Sequence, residues 1–198
     1  MVERVSALKG SYQPGRFGEP GEAGVTLSEV RELLLHQIAA WPQSVDAVAA
    51  QAAEWAGADA APGPGAASVG SRGKLLRIEP LKWWLYGAGV GELDPEQGVT
   101  LDLSHSRTHL RIAGPRAGVC LNRLVPLDLR PRSFAINSVA TTAMHHVAIT
   151  LWRSDNGYEL FLPRGFAVSL WEVLLETAAQ FGVEIEPQNP PRTTNEAM

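Results

Sequence analysis

The chain has 198 residues, 45% of them hydrophobic and 19% charged, with a formal net charge of -4. That length suits one compact domain burying about two-thirds of its unfolded surface, and the acidic balance argues against nucleic acid or another polyanion as partner. A single cysteine, Cys120, cannot close an internal disulfide, the first ten residues hold no apolar export segment, and no apolar run nears the ~20 residues of a bilayer span. A cytoplasmic protein with no membrane partner is the expectation.

Residues 1–24 carry five glycines and two prolines among charges and are expected to be a tail or a strap across a partner. Thr26-Leu27-Ser28-Glu29 has the spacing of a capping box and favours a short helix, whereas Leu35 to Trp41, closed by Pro42, fits a buried strand equally well. Ser44 is placed to cap an alanine-rich helix over 45–55, with Val45, Val48, Ala52 and Trp55 on one stripe. Residues 57–73 are almost all Ala, Gly, Pro and Ser and read as a linker or long surface loop. Strands at 74–78 and 81–86 break at Glu79-Pro80, and 87–98 is a second glycine-rich loop.

From Ser106 the residues alternate, with Arg107, His109 and Arg111 on one parity and Thr108, Leu110 and Ile112 on the other, so a half-buried strand with a basic face is expected. Gly114-Pro115 stops it and opens a helix to about residue 124, with Val119, Leu121, Leu124 and Val125 inward. A long strand follows over 138–153, then a tight turn for which Asn156-Gly157 supplies positive φ, and a strand over 158–162. Residues 164–181 form an amphipathic helix with Phe166, Leu170, Val173, Leu174 and Ala178 inward, capped by Gly182, and Val183 to Ile185 can pair as an edge strand. Residues 187–198 read as a C-terminal tail.

Several residues invite chemistry. His105 and His109 would share a helical face as a zinc pair does, but on a strand they stand about 13 Å apart, and no Cys or acidic cluster completes a site. His145 and His146, as neighbours on a strand, would point to opposite faces. Cys120 has no basic neighbour to hold a thiolate and reads as a small core residue. Gly87, Gly89 and Gly91 imitate part of a dinucleotide loop, but Leu93-Asp94-Pro95 breaks the chain where a helix should start. Trp83 and Trp84 point to opposite sides of their strand, one into the core and one available to a partner. With no nucleophile elbow and no carboxylate pair beside a histidine, no catalytic, cofactor or metal residue is assigned. A face as charged as Arg107, His109 and Arg111 must meet water or acidic groups of another surface, so these three, with Trp83 and Trp84, are the expected partner interface.

Asp102-Leu103-Ser104-His105-Ser106, a strand, Gly114-Pro115, a helix and Pro126-Leu127-Asp128-Leu129 resemble, in that order, the opening of the folate-binding domain of the glycine-cleavage T protein. Gln37-Ile38-Ala39-Ala40-Trp41-Pro42, Thr142-Ala143-Met144-His145-His146, Arg164-Gly165-Phe166-Ala167 and Leu170-Trp171 extend the likeness, over residues 33 to 185, to the gamma subunits of heterotetrameric sarcosine oxidases. The resemblance places a strand at about 33–41. The order strand, helix, strand, strand, found once before about residue 87 and once after about residue 106, gives an α+β fold with helices on mostly antiparallel sheet, expected as one domain over 25–186 that resembles the folate-binding domain. The resemblance further implies a non-catalytic subunit with alpha, beta and delta partners, which carry FAD, FMN, NAD and zinc and oxidise sarcosine to glycine with formaldehyde or 5,10-methylenetetrahydrofolate and hydrogen peroxide. A gamma-like subunit of an N-methylglutamate dehydrogenase and a free-standing folate-dependent one-carbon transferase remain alternatives.

Overall fold

A computed structural model describes residues 5–187. In chain order its elements are β1 (Gly15–Phe17), β2 (Val25–Glu29), β3 (Leu35–Ala40), α1 (Val45–Ala56), β4 (Ala67–Val69), β5 (Lys74–Glu79), β6 (Lys82–Tyr86), β7 (Gly98–Asp102), β8 (Arg107–Ala113), α2 (Ala117–Leu121), β9 (Val139–Met144), β10 (Val147–Ser154), β11 (Gly157–Pro163), α3 (Ala167–Ala179) and β12 (Val183–Ile185). They build a five-stranded sheet of order β4-β5-β6-β3-β7 and a seven-stranded sheet of order β1-β12-β2-β8-β11-β10-β9. The pairings are antiparallel apart from β12 with β2.

The two halves share one topology. In the first, β3, α1, β5 and β6 follow in sequence and β6 inserts between β3 and β5. In the second, β8, α2, β10 and β11 follow and β11 inserts between β8 and β10. Each half also lends a strand to the other: β2 leads into β3 but lies beside β8, and β7 leads into β8 but lies beside β3.

Strand periodicity sorts the side chains into three apolar layers. Leu110, Ile112 and Leu160 face α2 and α3 across Leu121, Leu170 and Leu174. Ile38, Leu75 and Trp83 face α1 across Val48 and Ala52. Between the sheets, Leu35, Leu76, Trp84 and Leu103 meet Val139, Trp152 and Phe161. The order is therefore helix, sheet, sheet, helix, with a seam at the centre.

Local signals mislead at several places. The capping-box segment is β2, not a helix, because Val25 and Leu27 at period two reach the core and neighbours on both sides satisfy its backbone. Ser44 makes no side-chain cap; its hydroxyl donates to the carbonyls of Trp41 and Gln97. The expected loop over 57–73 contains β4, and β7 emerges from the loop region after it. The helix after Pro115 is only the five residues of α2, leaving Val119 exposed. The expected long strand over 138–153 is a hairpin, β9 and β10, turning at His145 and His146, both at positive φ (49° and 69°). In the next hairpin Ser154 pairs with Gly157, which alone takes positive φ while Asp155 and Asn156 form the loop. Phe166 lies in a 3₁₀ turn before α3 and is 53% exposed. β12 is not an edge strand, since β1 covers its far side.

Residues 5–24 lie on this chain's own core. Leu8 is fully buried, Tyr12 stacks on Trp171 with centroids 5.2 Å apart, and the Tyr12 hydroxyl donates to the Glu186 carbonyl at 2.7 Å. Of the expected C-terminal tail, 188–198 lie outside the described residues.

Candidate functional site

The Asp102 to Ser106 box carries the chain from one sheet to the other. Asp102 Oδ1 accepts the Ser104 backbone N–H at 2.8 Å, and the Ser104 side chain together with this backbone hydrogen bond holds the carboxyl below its usual range. The Ser104 hydroxyl accepts the Leu35 N–H at 3.0 Å, tying the crossover to β3, and the Ser106 hydroxyl donates to the Leu103 carbonyl at 3.0 Å. Leu103 then drops into the seam. The motif is a turn whose short polar side chains replace backbone partners, which is why Asp and Ser occupy it.

Arg107, His109 and Arg111 do share a face, and that face looks into the seam. The acidic group that His109 and Arg111 meet belongs to the same chain. Glu159, on β11, accepts from His109 Nε2 at 2.7 Å, Arg111 Nε at 2.8 Å and the Ser154 hydroxyl at 2.8 Å. Both His109 and Glu159 are 1% exposed. The His109 ring stacks on Phe161 (centroids 4.5 Å apart) and takes the edge of Tyr86 from the opposite sheet (5.1 Å).

Burial holds the His109 imidazole below its ordinary pKa against the pull of Glu159, with Arg111 adding to the lowering. Burial alone would push the Glu159 carboxyl up, but the hydrogen bond from His109 and the charge and hydrogen bond of Arg111 prevail and hold it down. The network is a carboxylate neutralised by Arg111, with a neutral imidazole as second donor. A proton-transfer group must reach a reacting atom. His109 and Glu159 instead reach one another, holding β8 to β11 within the seven-stranded sheet, and the edge of Tyr86 on the His109 ring joins this network to the opposite sheet.

The expected partner residues are thus divided. Trp83 enters the α1 layer and Trp84 the seam, on opposite faces as their adjacency requires, but both are buried because the five-stranded sheet is covered on both sides. His109 is buried as well. Arg107 lies over Trp84, 5.5 Å from the ring, and the Arg111 side chain keeps 31% of its exposure. Cys120 is buried, its thiol pushed up to about 11 by desolvation. Among the described residues, no group of three or more His, Cys, Asp or Glu is placed to hold a metal ion, and no helix is long and apolar enough to cross a membrane. Sequence reasoning missed Glu159, Ser154 and Tyr86. The one available signal was an acidic residue in the otherwise apolar run Tyr158 to Leu162.

No family model matches the chain. Over 152 residues, 73% of this chain and 74% of that relative, it is 34% identical to the sarcosine oxidase subunit gamma of Corynebacterium sp. (strain U-96). The chain belongs to the sarcosine oxidase gamma subunit family. The gamma subunit of Arthrobacter sp. is 36% identical over 93 residues, 47% of this chain and 46% of that one. A solved heterotetrameric sarcosine oxidase from Corynebacterium sp. U-96, in complex with pyrrole 2-carboxylate, contains a chain that superposes with a TM-score of 0.75 at 25% identity, covering 90% of this chain and 96% of that one. Aminomethyltransferase T from Bartonella henselae shares the fold at a TM-score of 0.56 and 20% identity, over 83% of this chain and 48% of that one. The α+β fold with repeated halves is thus the architecture of this gamma-family chain, and the box that resembled the T protein is its crossover turn.

Proposed function

We propose that this chain is the gamma subunit of a heterotetrameric sarcosine oxidase and serves it as a non-catalytic structural subunit. In this reading alpha, beta and delta chains accompany it and hold the FAD, FMN, NAD and zinc. Oxidative demethylation of sarcosine to glycine, with formaldehyde or 5,10-methylenetetrahydrofolate and hydrogen peroxide, takes place in those partners, in the cytoplasm. The observation that carries the reading is sequence identity to a gamma subunit over most of the chain. The superposition on a chain of the heterotetramer supports it.

The geometry agrees, since the acid–base groups drawn together in the seam are spent on each other. Residues 25–186 form the single folate-binding-domain-like unit of this proposal, with 5–24 strapped to it. Of the residues expected at a partner interface, Arg107 and Arg111 keep the exposure to serve there.

The test is expression of the chain alone and with its partner chains. Alone, it should elute from gel filtration colourless and without sarcosine-dependent peroxide production; co-expressed, it should elute with the flavoprotein chains. A flavin absorbance band retained by the lone chain would overturn the non-catalytic assignment. Calorimetric titration with tetrahydrofolate should show no binding at micromolar concentration. The segment Thr141 to His146 offers no carboxylate, and leaving a pterin amide edge unpaired costs ~1–3 kcal/mol per group.

A further inference from the structure

Among the described residues, the internal repeat leaves β12 and β1 of the seven-stranded sheet without counterparts in the five-stranded sheet. β2 and β7 are counterparts, each lent to the other half and each laid beside the first strand of that half, β8 or β3. Beyond β2 the seven-stranded sheet continues with β12, running parallel, and then β1. Beyond β7, among the described residues, the five-stranded sheet ends.

β7 lacks the features that blunt an edge, a proline, an inward charge or a lysine. Its sequence is Gly98-Val99-Thr100-Leu101-Asp102, and Val99 and Leu101 are 50% and 54% exposed on one face. The hydrogen bonds from Leu103 N–H to the Leu35 carbonyl and from Trp41 N–H to the Gln97 carbonyl set the ladder phase. Val99 and Leu101 therefore bond to β3, and Thr100 turns its N–H and C=O to the open side. Exposed acids bracket the strand: Asp94 and Glu96 before it, Asp102 at its end. The other outer strands are less inviting, β1 and β4 being three residues each and β9 presenting Thr141 and Ala143.

We propose that β7 is an assembly edge, and that an extended segment of another subunit of the oxidase adds to it as a parallel sixth strand, apolar at alternate positions against Val99 and Leu101 and basic at its ends against Asp94, Glu96 and Asp102. The internal counterpart β12 supplies the parallel sense, the exposed acids supply the charge of the partner, and the main chain supplies most of the affinity. The inference rests on the heterotetramer reading.

Hydrogen exchange on the full chain, free and in the co-expressed complex, tests it directly. The Thr100 amide should exchange at least tenfold more slowly in the complex. Thr100→Pro, which removes the outward donor, and Leu101→Lys, which opposes basic charge to the partner's, should each lower retention of the large subunits at least tenfold while circular dichroism keeps the wild-type spectrum. If either variant misfolds, the wild-type exchange measurement decides by itself. Failure of the wild-type chain to retain the large subunits overturns the heterotetramer reading and this inference with it. Retention with Thr100 exchanging equally fast free and bound overturns the inference and leaves the reading standing.

Discussion

Glu159 shows how one residue governs the seam, because a buried carboxylate is tolerated only when its partners are in place. Replacing Glu159 by Ala leaves the buried donor of His109 without its acceptor and Arg111 without its counter-charge, and urea unfolding should show a loss of about 1–3 kcal/mol. The same network sets a pH response. The His109 pKa is lowered in the fold, so the unfolded chain takes up a proton near the ordinary value of 6.5 that the native chain refuses, and stability falls as pH drops below about 6.5. Glu159 is also lowered, which extends the loss below its ordinary 4.5. Denaturant unfolding from pH 8 to pH 4 should trace a decline in these two stages, and His109→Gln should flatten the upper stage while leaving the lower one. An upper stage undiminished in His109→Gln would assign it to another group. Cys120, with its thiol near 11 in the core, should resist iodoacetamide in the native chain and react at the rate of a free thiol in urea.

Among the elements, the β9–β10 hairpin carries the plainest local conflict. A two-residue turn with both centres at positive φ is the geometry for which Asn-Gly is favoured, yet His145 and His146 occupy it. The substitution His145→Asn with His146→Gly should stabilise the chain by about 1 kcal/mol, raising Tm by roughly 2–4 °C in calorimetry. An unchanged or lower Tm would show that the histidine side chains themselves hold the turn. That hairpin was illegible because no turn residue announced it and the apolar pattern continues through it. β2 was illegible for the converse reason: a capping-box spacing announced a helix, and only its neighbours β12 and β8 supply the partners that make it a strand.

At the scale of the molecule, the exchange of β2 and β7 means that neither half can complete its sheet without the other, and the seam adds a shared apolar layer. The two sheets should therefore unfold together, in one transition coincident by tryptophan fluorescence and far-ultraviolet circular dichroism. Phe161→Ala, which empties the middle of the seam, should cost ~3–5 kcal/mol and shift both probes equally. Two separated transitions would mean that the halves are independent. By itself the sequence determined what depends on neighbours in the chain: α1, α3 and the strands at residues 74–79, 82–86 and 107–113, because their apolar periods are local, and the family, with the strand near 35–40 that it implies, because its motifs keep their order. The tertiary structure alone decided that the basic face of β8 is answered by Glu159 fifty residues away, that Trp83 and Trp84 are both covered, and that Leu8 and Tyr12 belong to the core. Charge and burial at those positions are set by which strands become neighbours, and that is fixed by contacts between residues far apart in the chain, which no local pattern encodes.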